Sequence, residues 1–292
     1  MTAISAISLI IGLASVNPVR ADGTVTRDVE YARAGDHRLL LDLYLPVRSS
    51  ENRPRLLVWV HGGAWRAGSK DNVPVLGLLE HGFAIASVEY RLSPVARFPA
   101  QIHDCKAAIR FLRAKQNEFG IDASRIGIIG SSAGGHLAAE IGVTNGHQEL
   151  EGWLGAFPRS SSDVQAIVDY YGPTNFLTIL QQSTPHGLSV RVSALQLLLG
   201  GQPDEQTELA KLASPVFHVD RNDPPLLLIH GDQDPQVPIN QSHELHGRYK
   251  ELKLPVEFLV IHGGAHGGEQ FYDRERIEHV AGFLRRWLDA AE

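Results

Sequence analysis

The sequence predicts an α/β protein: a mostly parallel central sheet of about eight strands with helices on both faces. Three observations predict it. Unbroken apolar runs recur at 56–60, 83–88, 125–129, 166–171, 226–229 and 256–261. A run without alternation suits a strand covered on both faces, which is the habit of parallel sheets. Helical patterns separate these runs, and strands alternating with helices fold as a sheet sandwiched by right-handed crossovers. Finally, Gly130-Ser131-Ser132-Ala133-Gly134 stands between an apolar run and a helix-compatible segment, 134–144. That is the context of a serine on a sharp strand-to-helix turn.

The elements follow in order. Residues 4–16 are apolar and Val19-Arg20-Ala21 offers small residues for cleavage, so 1–21 reads as a secretion leader without its usual basic start. A secreted or periplasmic protein is expected, with one domain over 22–292. Segments 25–33 and 39–45 read as strands joined by a turn at Gly35-Asp36. The run 56–60 ends at His61-Gly62-Gly63-Ala64-Trp65. After Pro99, the residues Ile102, Cys105, Ile109 and Leu112 share one face of a helix. Cys105 is the only cysteine, so no intrachain disulfide forms and a buried structural thiol is expected. Segment 146–163 is polar and reads as a surface loop. Segment 172–224 is too long for a plain crossover and carries apolar helical stretches at 176–180 and 192–199. It is expected as a cap insertion over the carboxyl edge of the sheet, with Phe176, Leu177 and Leu180 walling a pocket. Ile277, Val280, Ala281, Leu284, Trp287 and Leu288 form the stripe of a last helix.

Composition narrows the function. The 292 residues are 43% hydrophobic and 21% charged with a net charge of −6, and no basic run occurs, which argues against a nucleic-acid partner. No apolar stretch reaches the roughly 20 residues of a membrane span. His243 and His246, and His262 and His266, are spaced like metal ligands. The first pair has no carboxylate in a ligand pattern and the second spans a glycine loop, so neither metal nor cofactor is expected.

A serine hydroxyl is a poor nucleophile at neutral pH and needs a base that is itself oriented by an acid. Ser132 fits the turn, and the spacing of Ser131 to the glycines does not. The run 226–229 is followed by His230-Gly231-Asp232-Gln233-Asp234, and 256–261 by His262-Gly263-Gly264-Ala265-His266. Each candidate lies just past the carboxyl end of a strand, where open α/β sheets bind ligands. His266, in the glycine-rich loop, is preferred to His262 as base. Asp234 is preferred to Asp232 and Asp169 as acid. His61 and His230 are read as loop-shaping hydrogen bonders. The glycines at 62–63 free backbone N–H groups to point inward, where with the amide of Ala133 they would hold an oxyanion.

The chain thus resembles the esterase/lipase branch of the α/β-hydrolase superfamily, in particular the feruloyl-esterase-like (BD-FAE) group related to hormone-sensitive lipase. The carriers are HGGAW (61–65), EYRLS (89–93), FPAQIHDCKAAIRFLR (98–113), GSSAGG (130–135), YYGPT (170–174), HGDQDPQVP (230–238) and the glycine-flanked His266. The resemblance implies Ser132 as nucleophile, His266 as base, Asp234 as orienting acid, and Gly63, Ala64 and Ala133 as oxyanion donors. Many members have a third glycine where this chain has Ala64, a change that keeps the N–H. Trp65, next along the loop, is expected either in the core or in the substrate pocket. The implied substrates are small esters with acetyl, butyryl or feruloyl groups, including acyl groups on plant polysaccharide. Amide cleavage, as in arylformamidases or prolyl-oligopeptidase-like peptidases, uses the same fold and order of residues. A non-catalytic binding module on this scaffold would ordinarily lose the serine or histidine.

Overall fold

The computed structural model describes residues 23–47 and 52–289; the expected leader at 1–21 lies outside them. Eight strands form one sheet: β1 Val25–Ala34, β2 His37–Tyr44, β3 Arg55–Val60, β4 Ala84–Val88, β5 Asp122–Ser131, β6 Ala166–Tyr170, β7 Leu226–Gly231 and β8 Val256–Ile261. Their order is β1-β2-β4-β3-β5-β6-β7-β8. β1, β2 and β4 pair antiparallel, as a short hairpin permits, and every other pairing is parallel. All eight expected strands are present, and the sheet is mostly parallel as expected.

The apolar runs are unbroken because consecutive residues feed two cores. Leu56, Val58 and Val60 enter one buried cluster while Leu57 and Trp59 enter the other. The first is covered by the helices Ala100–Ala114 and Ala133–Gly142, through Ile102, Cys105, Ile109, Leu112, Leu137 and Ile141. The second is covered by Arg274–Leu288, through Ile277, Val280, Leu284 and Leu288. Asp273 caps that last helix by accepting the Arg276 N–H at 3.0 Å. Cys105 is buried with no disulfide partner. No described helix is long and apolar enough to cross a membrane.

The chain turns outward in both directions from the centre: β3 leads to β4 on one side, and β5 to β6, β7 and β8 on the other. This reversal marks the carboxyl ends of β3 and β5 as the place where open α/β sheets bind ligands.

Segment 172–224 contains the helices Ile179–Gln182, Pro185–Leu199 and Thr207–Leu212 and a helical turn, Pro215–Phe217. It packs inward. Phe176, Ile179, Ala194, Leu195 and Leu198 share the buried cluster of the Ala100–Ala114 helix. Phe176, expected in a pocket wall, is only 1% exposed, and its ring stacks on His136 with centroids 4.8 Å apart. Burial of a large aromatic in the core outweighed the pocket role. The loop at 146–163 contains a helical turn, Gln148–Glu151, whose Glu151 receives Lys106 at 2.7 Å and Arg110 at 3.2 Å.

Candidate active site

The serine turn is built by exclusion. Ser132 has φ 54° and ψ −118°, in the region that L-residues avoid. A β-carbon on Gly130 would fall 2.1 Å from the Gly134 carbonyl oxygen, and one on Gly134 would fall 2.0 Å from that of Val60. Only glycine fits at either position, which is the physical content of G-x-S-x-G here. Neighbouring backbone holds the strained residue: the Ser132 N–H donates to the Tyr170 carbonyl at 2.8 Å, and the Ser132 carbonyl accepts the His136 N–H at 2.9 Å.

β7 and β8 deliver the partners. Asp234 lies in the loop after β7, and His266 in the loop after β8. Ser132 Oγ–H donates to His266 Nε2 at 2.9 Å, and His266 Nδ1–H donates to Asp234 Oδ2 at 2.6 Å. The structure therefore brings together the serine, base and acid named from the sequence. Asp234 Oδ1 accepts the N–H groups of Gln236 and Val237 at 2.8 and 2.9 Å.

Electrostatics sets the protonation states. Burial raises the Asp234 pKa, but hydrogen bonds from His230, His266 and the Val237 amide outweigh it and hold the carboxyl well below the usual range. Burial pushes His266 down from 6.5, against the pull of Asp234 and with help from the charges of Arg191 and His230. The imidazole is thus a neutral acceptor at pH 7.

The loop after β3 lies against this turn. A β-carbon on Gly62 would fall 2.9 Å from the Ser131 carbonyl oxygen and 3.3 Å from Ser132 Cβ. Gly63, Ala64 and Trp65 all have positive φ, at 116°, 52° and 58°. Two non-glycine residues in succession there mark a strained loop. The Gly63 and Ala64 N–H groups make no hydrogen bond to described residues. Ala133 opens the helix Ala133–Gly142, so its N–H is among the donors that a helix start leaves unused.

Trp65 is fully buried. Its Nε1–H donates to His136 Nδ1 at 3.1 Å, and His136 Nε2–H in turn donates to the Ala213 carbonyl at 2.8 Å. Burial pushes His136 down to about 4, so it stays neutral in this chain of bonds. The indole thus lies in the core, one of the two places expected for it, packed edge-on against His136 and Phe176.

The rejected candidates lie elsewhere. His262 and Asp232 bond to each other at 2.9 Å, and 86% of the His262 side chain is exposed. Asp169 is buried; Oδ1 accepts the Gly172 N–H at 2.8 Å, Oδ2 has no partner, and burial lifts the group to about 6. His61 bonds its own loop at Gly62 O and stacks on Tyr90. His243 and His246 pack on Phe258.

Three site neighbours were not assigned to the site from the sequence. His230 does shape its loop, through Ser242 Oγ at 2.7 Å and the Val237 carbonyl at 3.0 Å, but it also reaches Asp234 Oδ2 at 3.3 Å. Its place at the end of an apolar strand beside Asp234 was the available signal. The Tyr171 ring meets the His266 ring edge-on at 4.8 Å, and its hydroxyl is 2.7 Å from that of Tyr272. Arg191 approaches from the Pro185–Leu199 helix, and no local pattern marked it.

A family model described as BD-FAE matches residues 41–249. Esterase LipC of Mycobacterium tuberculosis is 32% identical over 80% of this chain and 57% of its own length. A truncated carbohydrate esterase from gut microbiota superposes with a TM-score of 0.82 at 33% identity, covering 94% of this chain and 99% of that one. A bifunctional GH43-CE protein of Bacteroides eggerthii gives 0.81 at 35% identity, covering 90% of this chain and 35% of its own. The chain spans about half the length of the curated relatives it matches.

Proposed function

This chain belongs to the BD-FAE family, and from that premise we propose that it is a carboxylic-ester hydrolase acting through Ser132, His266 and Asp234. One observation carries the reading: a continuous relay from Ser132 Oγ through both imidazole nitrogens to Asp234, at 2.9 and 2.6 Å. In the proposed reaction, Ser132 Oγ attacks the ester carbonyl as His266 Nε2 takes its proton. The N–H groups of Gly63, Ala64 and Ala133 hold the developing oxyanion. His266 then protonates the leaving alcohol, and water repeats the cycle on the acyl-serine, with no metal or organic cofactor. Asp234 keeps Nδ1 protonated and stabilises the imidazolium that forms.

Short or compact acyl groups, acetyl above all, are the proposed substrates, and the alcohol is proposed to be a carbohydrate. Support comes from the names of similar structures: the carbohydrate esterase from gut microbiota above, and an acetyl ester-xyloside bifunctional hydrolase from Caldicellulosiruptor lactoaceticus at 25% identity. Export through the segment at 1–21 belongs to the same proposal.

The test is kcat/KM along a series of chromogenic esters, with Ser132→Ala as control. The reading predicts a maximum between acetyl and butyryl and a loss of kcat on the order of 10⁴–10⁶ in Ser132→Ala. A maximum at twelve carbons or more, or an active Ser132→Ala, overturns it.

A further inference from the structure

Four cationic side chains are buried among the described residues: Lys70, Lys106, Arg110 and Arg191. Lys70 is held by Asp28 and Asp42, at 2.8 and 3.0 Å, and Lys106 and Arg110 share Glu151. This is how buried charges are ordinarily kept. Arg191 departs from the pattern. It is 1% exposed, its Nε and Nη1 have no hydrogen-bond partner, and no described carboxylate lies within 4.0 Å. An unpaired buried guanidinium is expensive, on the order of several kcal/mol.

The position of Arg191 explains why such a cost would be retained. Its helix, Pro185–Leu199, is docked on the loop that carries Asp234. Thr184 Oγ1–H donates to the Pro235 carbonyl at 2.7 Å, and a β-carbon on Gly187 would fall 3.0 Å from the Gln236 carbonyl oxygen. Arg191 follows Gly187 by one helical turn, on the same face. Its guanidinium carbon is 6.0 Å from the Trp65 ring centroid, directly after the oxyanion loop. Its charge is felt by both Asp234 and His266. Arg66, also next to Trp65, adds a second cation without a carboxylate; its Nη1 donates only to the neutral Ser193 Oγ of the same helix, at 2.8 Å. The two arginines repel each other. A chain of net charge −6 has acidic side chains to spare, yet no described carboxylate lies within 4.0 Å of either arginine; Asp234, the one that feels Arg191, is already bonded to His266.

We infer that Arg191, backed by Arg66, is an anion subsite beside the serine that takes a carboxylate carried by the ester substrate. The planar guanidinium matches a carboxylate geometrically, and its long stem lets it swing toward one entering beside His266. The carboxylate can sit on the acyl side, as in a dicarboxylic hemiester, or on the alcohol, as in an acetylated acidic sugar. This subsite deepens the ester-hydrolase reading and rests on it.

The experiment compares kcat/KM within two matched pairs. The acyl arm uses 4-nitrophenyl hemiglutarate against 4-nitrophenyl valerate; the alcohol arm uses a monoacetylated methyl glucuronoside against the corresponding glucoside. The wild-type protein should favour the charged member of one pair by about tenfold or more, and the arm that responds identifies the source. Arg191→Gln should lower that ratio by about 10–100-fold, the worth of a charged hydrogen-bonded contact, and Arg191→Lys should keep part of it. Should Arg191→Gln fail to fold, glutarate inhibition of valerate-ester hydrolysis by wild type decides: competitive, salt-sensitive inhibition supports the subsite, and its absence overturns it. Equal rates within both pairs, or a ratio unmoved by Arg191→Gln, also overturn the subsite while leaving the hydrolase reading intact. No turnover of any neutral ester overturns the hydrolase reading itself, and the subsite with it.

Discussion

The loops after β7 and β8 carry two Asp–His pairs of the same chemistry. Asp234–His266 is closed at 2.6 Å and Asp232–His262 at 2.9 Å, and both use Nδ1 and Oδ2. Only surroundings separate them. The His266 side chain is only 11% exposed, with Tyr171 edge-on against its ring, and its second nitrogen faces Ser132; 86% of the His262 side chain lies in solvent. Asp234 receives two backbone amides and approaches His230, whereas Asp232 is lowered chiefly by His262 itself, with the Gly263 amide second. An exposed pair of this kind contributes little, because water competes for both partners. The difference teaches that an Asp–His bond alone does not make the proposed catalytic unit. The proposal requires one that is shielded from water and has a strained serine at its far end.

The sharpest way to break this comparison is to remove each histidine. His266→Ala should cost on the order of 10⁴–10⁶ in kcat, and His262→Ala should stay within about threefold. Comparable losses in both, measured on one chromogenic acetate ester, would show that the exposed pair also takes part. The carboxylates come next. Asp234→Asn should lose about 10⁴ in kcat, because the amide no longer fixes the imidazole tautomer. Asp232→Asn should remain near wild type, and a large loss there would refute the distinction.

The strands, the serine turn and the hydrogen-bonded Ser132, His266 and Asp234 were readable because each lies in a short, recognisable stretch of chain. Gly130 and Gly134 are dictated by contacts with backbone, and His266 sits in its own glycine loop. What was not readable depends on packing between distant segments. Phe176 has the apolar character of a pocket wall, but only the fold shows it stacked on His136 in the core. The helix expected at 192–199 begins at Pro185, capped by Thr184, whose hydroxyl accepts the Gly187 N–H at 3.0 Å. A Thr-Pro start was a local signal that could have been used. Arg191 offered no such signal, since nothing nearby in sequence says that a cation is left unpaired.

The smallest effect sharpens the comparison through pH. His266 must be neutral to accept the serine proton. Burial places its pKa below 6.5, so kcat/KM should stay level through neutral pH and fall through one ionisation below 6.5. An acid limb centred above 7 would mean that the Asp234 charge outweighs burial.

The most direct test of the central claim is to label the protein with a fluorophosphonate at neutral pH and map the adduct by mass spectrometry. The account predicts one phosphonylated residue, Ser132, with labelling abolished in Ser132→Ala, strongly slowed in His266→Ala and unchanged in His262→Ala. An adduct on Ser131, or labelling of Ser132 that needs His262 and not His266, would contradict it.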